Sequence, residues 1–227
     1  MKRYDTVIFD LDGTLLDTLE DLADALNTAL RRHGYPERTI EEVRAFVGNG
    51  VRRLVRLAVP GGEEAPDFEE ILEDFKIWYA AHADVKTRPY AGIIGMLEAL
   101  QDAGVKMAIV SNKFDAAVKA LNAKYFGSRI PVAIGENEAA GIRKKPAPDS
   151  VFEAMRQLGA DPERTLYVGD SEVDHETSRQ AGIDLLLVSW GFRDRKLLES
   201  FECAGIADTP EEIIACSLNN SSEAIDN

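Results

Sequence analysis

From Arg88 to about Asp208 this chain alternates strand and helix patterns, and few folds accommodate such an alternation. Helical spacing over 92–103 ends at Gly104, and the apolar run 105–110 reads as a strand. A helix over 115–123, a short strand over 131–135 and a helix over 149–158 follow. A strand over 165–168, a helix over 172–181, a strand over 184–190, a helix over 194–201 and a last strand over 206–208 complete the series. Strands separated by helices pair in parallel, with helices on both faces of the sheet. One strand stands apart near the N-terminus: the run from Tyr4 to Phe9 is short, β-branched and aromatic. Between it and Arg88 lie about seventy residues with helical spacing only. Leu19, Leu22, Ala23, Leu26, Ala29 and Leu30 recur on one helix face, from the capping pair Asp17-Thr18 to Gly34. Further helices fit 39–47, capped by Thr39, then 51–59 and about 66–83. The expected architecture is α/β: a parallel-sheet core built from residues 1–16 and 88–227, with a helical bundle, 17–87, inserted after the first strand.

Where that first strand ends, Asp10 and Asp12 are spaced by one residue. Side chains at i and i+2 of an extended chain point the same way, so both acids face one point at the strand's carboxyl end. Gly13 allows a sharp turn there. Two turn-forming aspartates are one reading. A calcium loop is a second, and it fails on register, because Thr14 and Leu15 occupy the places where a third acid and a glycine are needed. A metal-assisted phosphoryl site is a third, and it needs partners elsewhere in the chain. Sheets of this kind bind ligands beyond the carboxyl ends of their strands. Polar residues gather in those places: Asp10, Asp12 and Thr14, then Ser111 and Asn112, then Asp170, Ser171 and Asp174, with Arg143-Lys144-Lys145-Pro146 between the last two groups. Each alone is an ordinary turn, helix cap or solvated loop. Together, in order and at successive strand ends, they argue for one site. The inserted bundle enters near residues 15–17 and leaves near 84–89, so it would lie over that site as a lid.

Composition bounds what such a site could serve. With 40 acids against 26 bases, the formal net charge of −14 argues against charge-driven binding to nucleic acid or to an anionic membrane. A small anionic substrate stays possible, since a metal and one or two lysines set the local potential. Cys203 and Cys216 supply no disulfide framework, and a reducing cytoplasmic setting is the expectation. Asp5 and Asp10 interrupt the N-terminal apolar run, which reads as neither a signal peptide nor a membrane span. No His/Cys cluster suggests zinc, and Ser111 and Ser171 lack a His partner evident in the sequence. The segment 217–227 is polar and is expected to fray.

The four polar groups resemble the four motifs of the haloacid dehalogenase superfamily. Asp10-Leu11-Asp12-Gly13-Thr14 resembles the first, Ser111-Asn112 the second, Lys145-Pro146 the third, with Lys144 a weaker candidate, and Gly169-Asp170-Ser171-Glu172-Val173-Asp174 the fourth. The inserted bundle resembles the family's helical type-one cap, and the resemblance implies a Rossmann-like core. Within the family, Phe46-Val47-Gly48-Asn49-Gly50-Val51-Arg52-Arg53-Leu54 and Ser111-Asn112-Lys113 are similar to the phosphoglycolate phosphatase group.

The resemblance implies hydrolysis of a small phosphorylated metabolite through an aspartyl-phosphate. Asp10 is then the nucleophile and Asp12 the acid and base, while Lys145 balances charge. Thr14, Ser111 and Asn112 donate to the phosphoryl oxygens. Two acids facing a phosphate dianion at about 4 Å each meet a repulsion of about 4 kcal/mol at an effective dielectric near 20, so a cation is required. Mg²⁺ suits an all-oxygen shell of Asp10, the Asp12 carbonyl, Asp170 and, directly or through water, Asp174. In the lid, Gly48, Asn49 and Gly50 are expected to bring backbone N–H groups, and Arg52 or Arg53 a guanidinium, to a second anionic group. The dehalogenases of the family resemble D-x-Y-G-T and the phosphonatases D-x-A-G-T, so Asp12 favours phosphate esters. β-Phosphoglucomutases tend to carry Val in the place of Thr14 and a histidine in the place of Leu22, and both departures disfavour a phosphosugar mutase. Pyrophosphate and nucleotides are alternative substrates for the same core chemistry.

Overall fold

A computed structural model describes residues 3–219. The first strand, β1 (Thr6–Phe9), is followed by a two-residue strand, β2 (Leu16–Asp17), and by four helices: α1 (Leu19–Arg32), α2 (Ile40–Phe46), α3 (Val51–Ala58) and α4 (Phe68–His82). A second two-residue strand, β3 (Arg88–Pro89), brings the chain back to the alternating region. That region runs α5 (Ile93–Asp102), β4 (Lys106–Phe114), α6 (Asp115–Tyr125), β5 (Val132–Glu136), α7 (Asp149–Leu158), β6 (Thr165–Gly169), α8 (Glu172–Ala181), β7 (Asp184–Val188), α9 (Arg195–Leu198), β8 (Gly205–Ala207) and α10 (Pro210–Leu218).

Six strands form one parallel sheet in the order β5-β4-β1-β6-β7-β8. β1 is central and buried at every residue, which is why its pattern is apolar throughout rather than alternating. Val7 and Phe9 pack on one face with α5, α6 and α10, through Met96, Leu97, Val118 and Ile213. Ile8 packs on the other, with Val151 and Ala154 of α7, Ala181 of α8 and Leu198 of α9. The sheet order steps outward from β1 in both directions, so the crevice between β1 and its neighbours opens at its carboxyl end, after Phe9.

The helices α1 to α4 bury a separate cluster that includes Leu22, Leu26, Leu30, Val55, Phe75 and Tyr79. Phe192, from the loop after β7, is the core residue that joins this cluster. Where the chain crosses between the two bodies, β2 and β3 pair antiparallel, Leu16 opposite Pro89 and Asp17 opposite Arg88. Asp21 locks the crossing. Its buried carboxylate accepts from Lys86 N at 3.0 Å and from Thr87 N at 2.8 Å. Strands of two residues show no period, which is why the sequence pattern does not reveal them.

Two further departures have physical causes. The expected strand 105–110 continues to Phe114, with a register shift between Val110 and Phe114, so Ser111, Asn112 and Lys113 lie inside a bulged strand. The segment expected to fray from Ser217 begins inside a helix. Pro210 opens α10, Glu211 and Glu212 occupy its first turn, Ser217 is fully buried, and Tyr4 N donates to Ser217 O at 3.0 Å. The rest of that segment, 220–227, lies outside the described residues.

Candidate active site

β1 delivers Asp10 to the crevice, where its backbone N–H still pairs with Val168 of β6 at 2.8 Å. Gly13 turns the chain at φ 86°, and a Cβ there would stand 2.5 Å from Asp170 Oδ2. Only glycine lets this turn lie against the fourth motif.

Asp10, Asp170 and Asp174 are buried, and one carboxylate oxygen from each lies within 4.8 Å of the others. Burial pushes the Asp10 carboxyl up to about 7, with Lys145 opposing the rise and Asp174 and Asp12 adding to it. Burial, then the charges of Asp174 and Asp10, hold the Asp170 carboxyl well above its usual range, against a hydrogen bond from Phe192 N at 2.6 Å. Asp174 differs. Burial would raise it too, but the Lys145 ammonium and hydrogen bonds from Lys145, Ser171 and Tyr167 hold it below the ordinary value. Its Oδ1 accepts from Lys145 Nζ at 2.8 Å and from Tyr167 OH at 3.0 Å. Its Oδ2 accepts from Asp170 N, Ser171 N and Ser171 Oγ at 3.2, 3.1 and 2.7 Å. Five donors use up the acceptor sites of one carboxylate. Asp174 is therefore an anchor for Lys145 and for the start of α8, and Asp10 and Asp170 are the carboxylates with oxygens to offer a cation. Their all-oxygen chemistry fits a hard divalent ion.

Lys145 Nζ lies 2.8 Å from Asp10 Oδ1 and 3.1 Å from Tyr167 OH. Burial works against its charge, but Asp10 and Asp174 outweigh that and hold the ammonium well above its usual range. Asn112 places it: Asn112 Nδ2 donates to Lys145 O at 3.0 Å, and Lys145 N donates to Asn112 Oδ1 at 2.7 Å. The Asn112 side chain was expected to serve the phosphoryl group, and here its oxygen and one amide proton are committed to that backbone. Lys144, the weaker candidate, does not reach Asp10.

Asp12 meets a different lysine. Its Oδ2 lies 2.9 Å from Lys113 Nζ, which also donates to Tyr79 OH of α4 at 2.7 Å. Its Oδ1 is buried and has no hydrogen-bond partner among the described residues. Sequence reasoning missed Lys113 and Tyr79 as members of the site. Lys113 stood in the stretch Ser111-Asn112-Lys113 that carried the resemblance, but the register shift between Val110 and Phe114 hid which way it faces. Asp12 and Ser111 hold the ammonium and the bulge around it.

A cavity of ≈ 50 Å³ lies over these groups. The core lines it with Asp10, Asp12, Ser111, Asn112, Lys113 and Lys145, and the helical block with Leu22, Val47, Gly48, Gly50, Val51 and Leu54. Thr14, Asn49 and Arg52, expected at the substrate, do not line it. Thr14 is fully buried beneath, its Oγ1 without a partner and its carbonyl accepting from Trp190 Nε1 at 3.0 Å. Asn49 lies in a neighbouring groove. Arg52 points along α3 to Glu63 and Glu69, at 3.2 and 2.8 Å, and over the Phe68 ring. A residue that the sequence did not single out, Arg193, fixes the loop between α2 and α3 instead. It binds Glu172 at 2.6 Å and donates to Val47 O at 2.8 Å, which seats the cavity-lining Val47-Gly48 on the core.

Comparison with known proteins agrees with this geometry. Residues 7–188 match the model of the haloacid dehalogenase-like hydrolase family. The chain is 35% identical to a phosphoglycolate phosphatase of Aquifex aeolicus over 187 residues, 82% of this chain and 85% of that one. It is also 35% identical to an N-acetylmuramic acid 6-phosphate phosphatase of Pseudomonas aeruginosa over 192 residues, 84% of each. Among solved structures, a Lactobacillus delbrueckii subsp. bulgaricus protein provisionally assigned as a phosphoglycolate phosphatase superposes with a TM-score of 0.89 at 36% identity, over 97% of this chain and all of that one. An acid pair at the switch point, an ordered lysine, a carboxylate cluster and these similarities lead to one conclusion: the chain belongs to the haloacid dehalogenase-like hydrolase family, as a phosphatase-like member.

Proposed function

We propose that this protein hydrolyses the phosphate monoester of a small metabolite, with Asp10 as nucleophile and Asp12 as acid and base. One observation carries the reading: the two carboxylates of a single motif meet different lysines. Lys145 holds Asp10 Oδ1 and opposes the rise that burial imposes on the carboxyl. Lys113 holds Asp12 Oδ2 and leaves Oδ1 unpartnered beside the cavity. The residues are thus prepared for different work.

In the first step the free Asp10 oxygen attacks phosphorus, the bond to the ester oxygen breaks, and Asp12 gives that oxygen a proton. In the second, water attacks the aspartyl-phosphate phosphorus while Asp12 takes its proton, and phosphate leaves with Asp10 restored. Ser111 and the remaining amide proton of Asn112 donate to the phosphoryl oxygens. Asp10 and Asp170 would hold Mg²⁺, with the Asp12 carbonyl, and Asp174 would act on it through water; the ion supplies charge neutralisation for the phosphoryl oxygens. The lid, residues 17–87, closes over the reaction. Leu22 presents no acid or base from the lid to a sugar hydroxyl, which supports hydrolysis over a mutase. The identity of the ester is carried by relatives, which favour 2-phosphoglycolate and, in one case, a phosphorylated sugar acid.

The test is phosphate release from 2-phosphoglycolate, sugar phosphates, nucleotides and pyrophosphate, with and without Mg²⁺. Release from monoesters only when Mg²⁺ is present is expected. Conversion of β-glucose 1-phosphate to glucose 6-phosphate without phosphate release would contradict the reading. A second expected result concerns the cluster itself. Asp170→Asn keeps an acceptor for Phe192 N but removes one of the buried like charges. The metal-free variant should melt about 2–4 °C higher, as a gain of ~1 kcal/mol gives in a chain of this size, and lose the stabilisation that Mg²⁺ gives the wild type. Calorimetry with Mg²⁺ and with a chelator reads both.

A further inference from the structure

The loop after β7 touches a cation-binding acid and the helical block through consecutive residues. Gly191 lies so close to Asp170 that a Cβ there would overlap its carboxylate. Phe192 N then donates to Asp170 Oδ2 at 2.6 Å. The Phe192 ring lies against the Gly13 turn, where a Cβ would stand 2.9 Å from Phe192 Cδ2, and it is buried in the apolar cluster of α1 to α4. Arg193 follows. Its Nε and Nη2 hold Glu172 of α8 at 2.6 and 2.9 Å, and Nη2 also donates to Val47 O at 2.8 Å and Nη1 to Arg44 O at 3.4 Å. Gly48 makes room for the guanidinium: at φ 121°, a Cβ there would stand 2.8 Å from Nη2.

These contacts divide between two bodies. Asp170, Glu172 and the Gly13 turn belong to the core, while the apolar cluster around Phe192 and the carbonyls of Arg44 and Val47 belong to the helical block. If that block lifts, the Phe192 ring either leaves its cluster for water or follows it and takes its N–H away from Asp170. A seated block removes the conflict. It also holds the Asp170 carboxylate by one oxygen and leaves the other to offer. Mg²⁺ demands near-ideal ligand geometry, so a carboxylate oriented beforehand binds it better.

We propose that Phe192 and Arg193 are positioning residues that couple seating of the lid to Mg²⁺ binding at Asp170. The inference rests on the cation assignment within the phosphatase reading and adds a regulation of that site. Such a coupling is reciprocal: the seated lid tightens the ion, and the ion seats the lid.

Calorimetric titration of the substrate-free protein with Mg²⁺ reads the first half. Losing a positive charge near Asp170 would by itself tighten a divalent ion. The coupling predicts the opposite sign for Arg193→Gln, a Kd about five- to tenfold weaker. Arg193→Gln removes no apolar core side chain, so this arm stands even if Phe192→Ala does not fold. A folded Phe192→Ala should weaken Mg²⁺ by a similar factor, and Phe192→Leu, which keeps an apolar anchor, should bind it as the wild type does. The double variant Phe192→Ala/Arg193→Gln should lose no more than the larger single effect, because both cut one link. Spin labels on Glu41→Cys in α2 and Lys196→Cys in α9, with Cys203→Ser and Cys216→Ser, read the second half. Mg²⁺ should shift their distances toward the seated lid in the wild-type background and not with Arg193→Gln. Unchanged or tighter Mg²⁺ binding by Arg193→Gln would overturn the coupling, and so would label distances that ignore Mg²⁺ in the wild-type background. A wild type that binds no Mg²⁺ would instead overturn the cation assignment itself, so the two failures are told apart.

Discussion

Asp10→Asn abolishes turnover, by a factor on the order of 10⁴ or more, and leaves the fold intact. An amide is a poor nucleophile, and no neighbour can replace it: Asp174 is saturated by five donors, Asp170 points to Phe192 N, and Asp12 is held by Lys113. The amide oxygen can still accept from Lys145, so the site keeps its shape. The buried cluster loses one of its like charges, so stability holds or rises. Steady-state phosphate release together with a melting curve checks both halves. A variant that stays folded and retains wild-type-like rates would remove Asp10 from the nucleophile's role.

Lys113→Met has the second largest expected effect, and it acts on stability as well as rate. Lys113 is fully buried between Asp12 and Tyr79. Burial works against its charge, but Asp12 and the Tyr79 hydroxyl outweigh that and raise its pKa above the ordinary value. Burial in turn pushes the Tyr79 hydroxyl up to about 12, so it stays a neutral dipole against the ammonium. Removing the lysine leaves the half-buried Asp12 carboxylate without its counter-charge, which costs about 1–3 kcal/mol. Turnover should fall about 10²–10³-fold, because Asp12 loses the contact that orients it. The double variant Lys113→Met/Asp12→Asn should regain most of the stability and none of the activity, since no charge is then stranded. If it instead melts as low as Lys113→Met alone, the lysine matters through packing and not through Asp12.

These two residues also mark what could be read from the chain. Asp10, Asp12 and Asp170 were legible because each follows a strand pattern that places it at one edge of a parallel sheet, and Lys145 because its basic run lies in order between two such groups. Lys113 was not, because the strand pattern ends at Val110 and the bulge carries the ladder on to Phe114. Arg52 lies on a helix whose apolar face the sequence shows, but Glu63 and Glu69, eleven and seventeen residues on, decide its direction. Such pairings depend on how α3 and α4 pack. The helix at 210–218 carried its start signals, Pro210 and two acids, and was hidden by the polar residues that follow it.

The central claim is that Asp10 carries the phosphoryl group between ester and water, and the stereochemical course at phosphorus tests it most directly. A monoester made chiral at phosphorus with sulfur and heavy oxygen, turned over in isotopically labelled water, reports each displacement as one inversion. Two displacements through Asp10 predict net retention. Net inversion would mean a single direct attack by water, and would contradict the account.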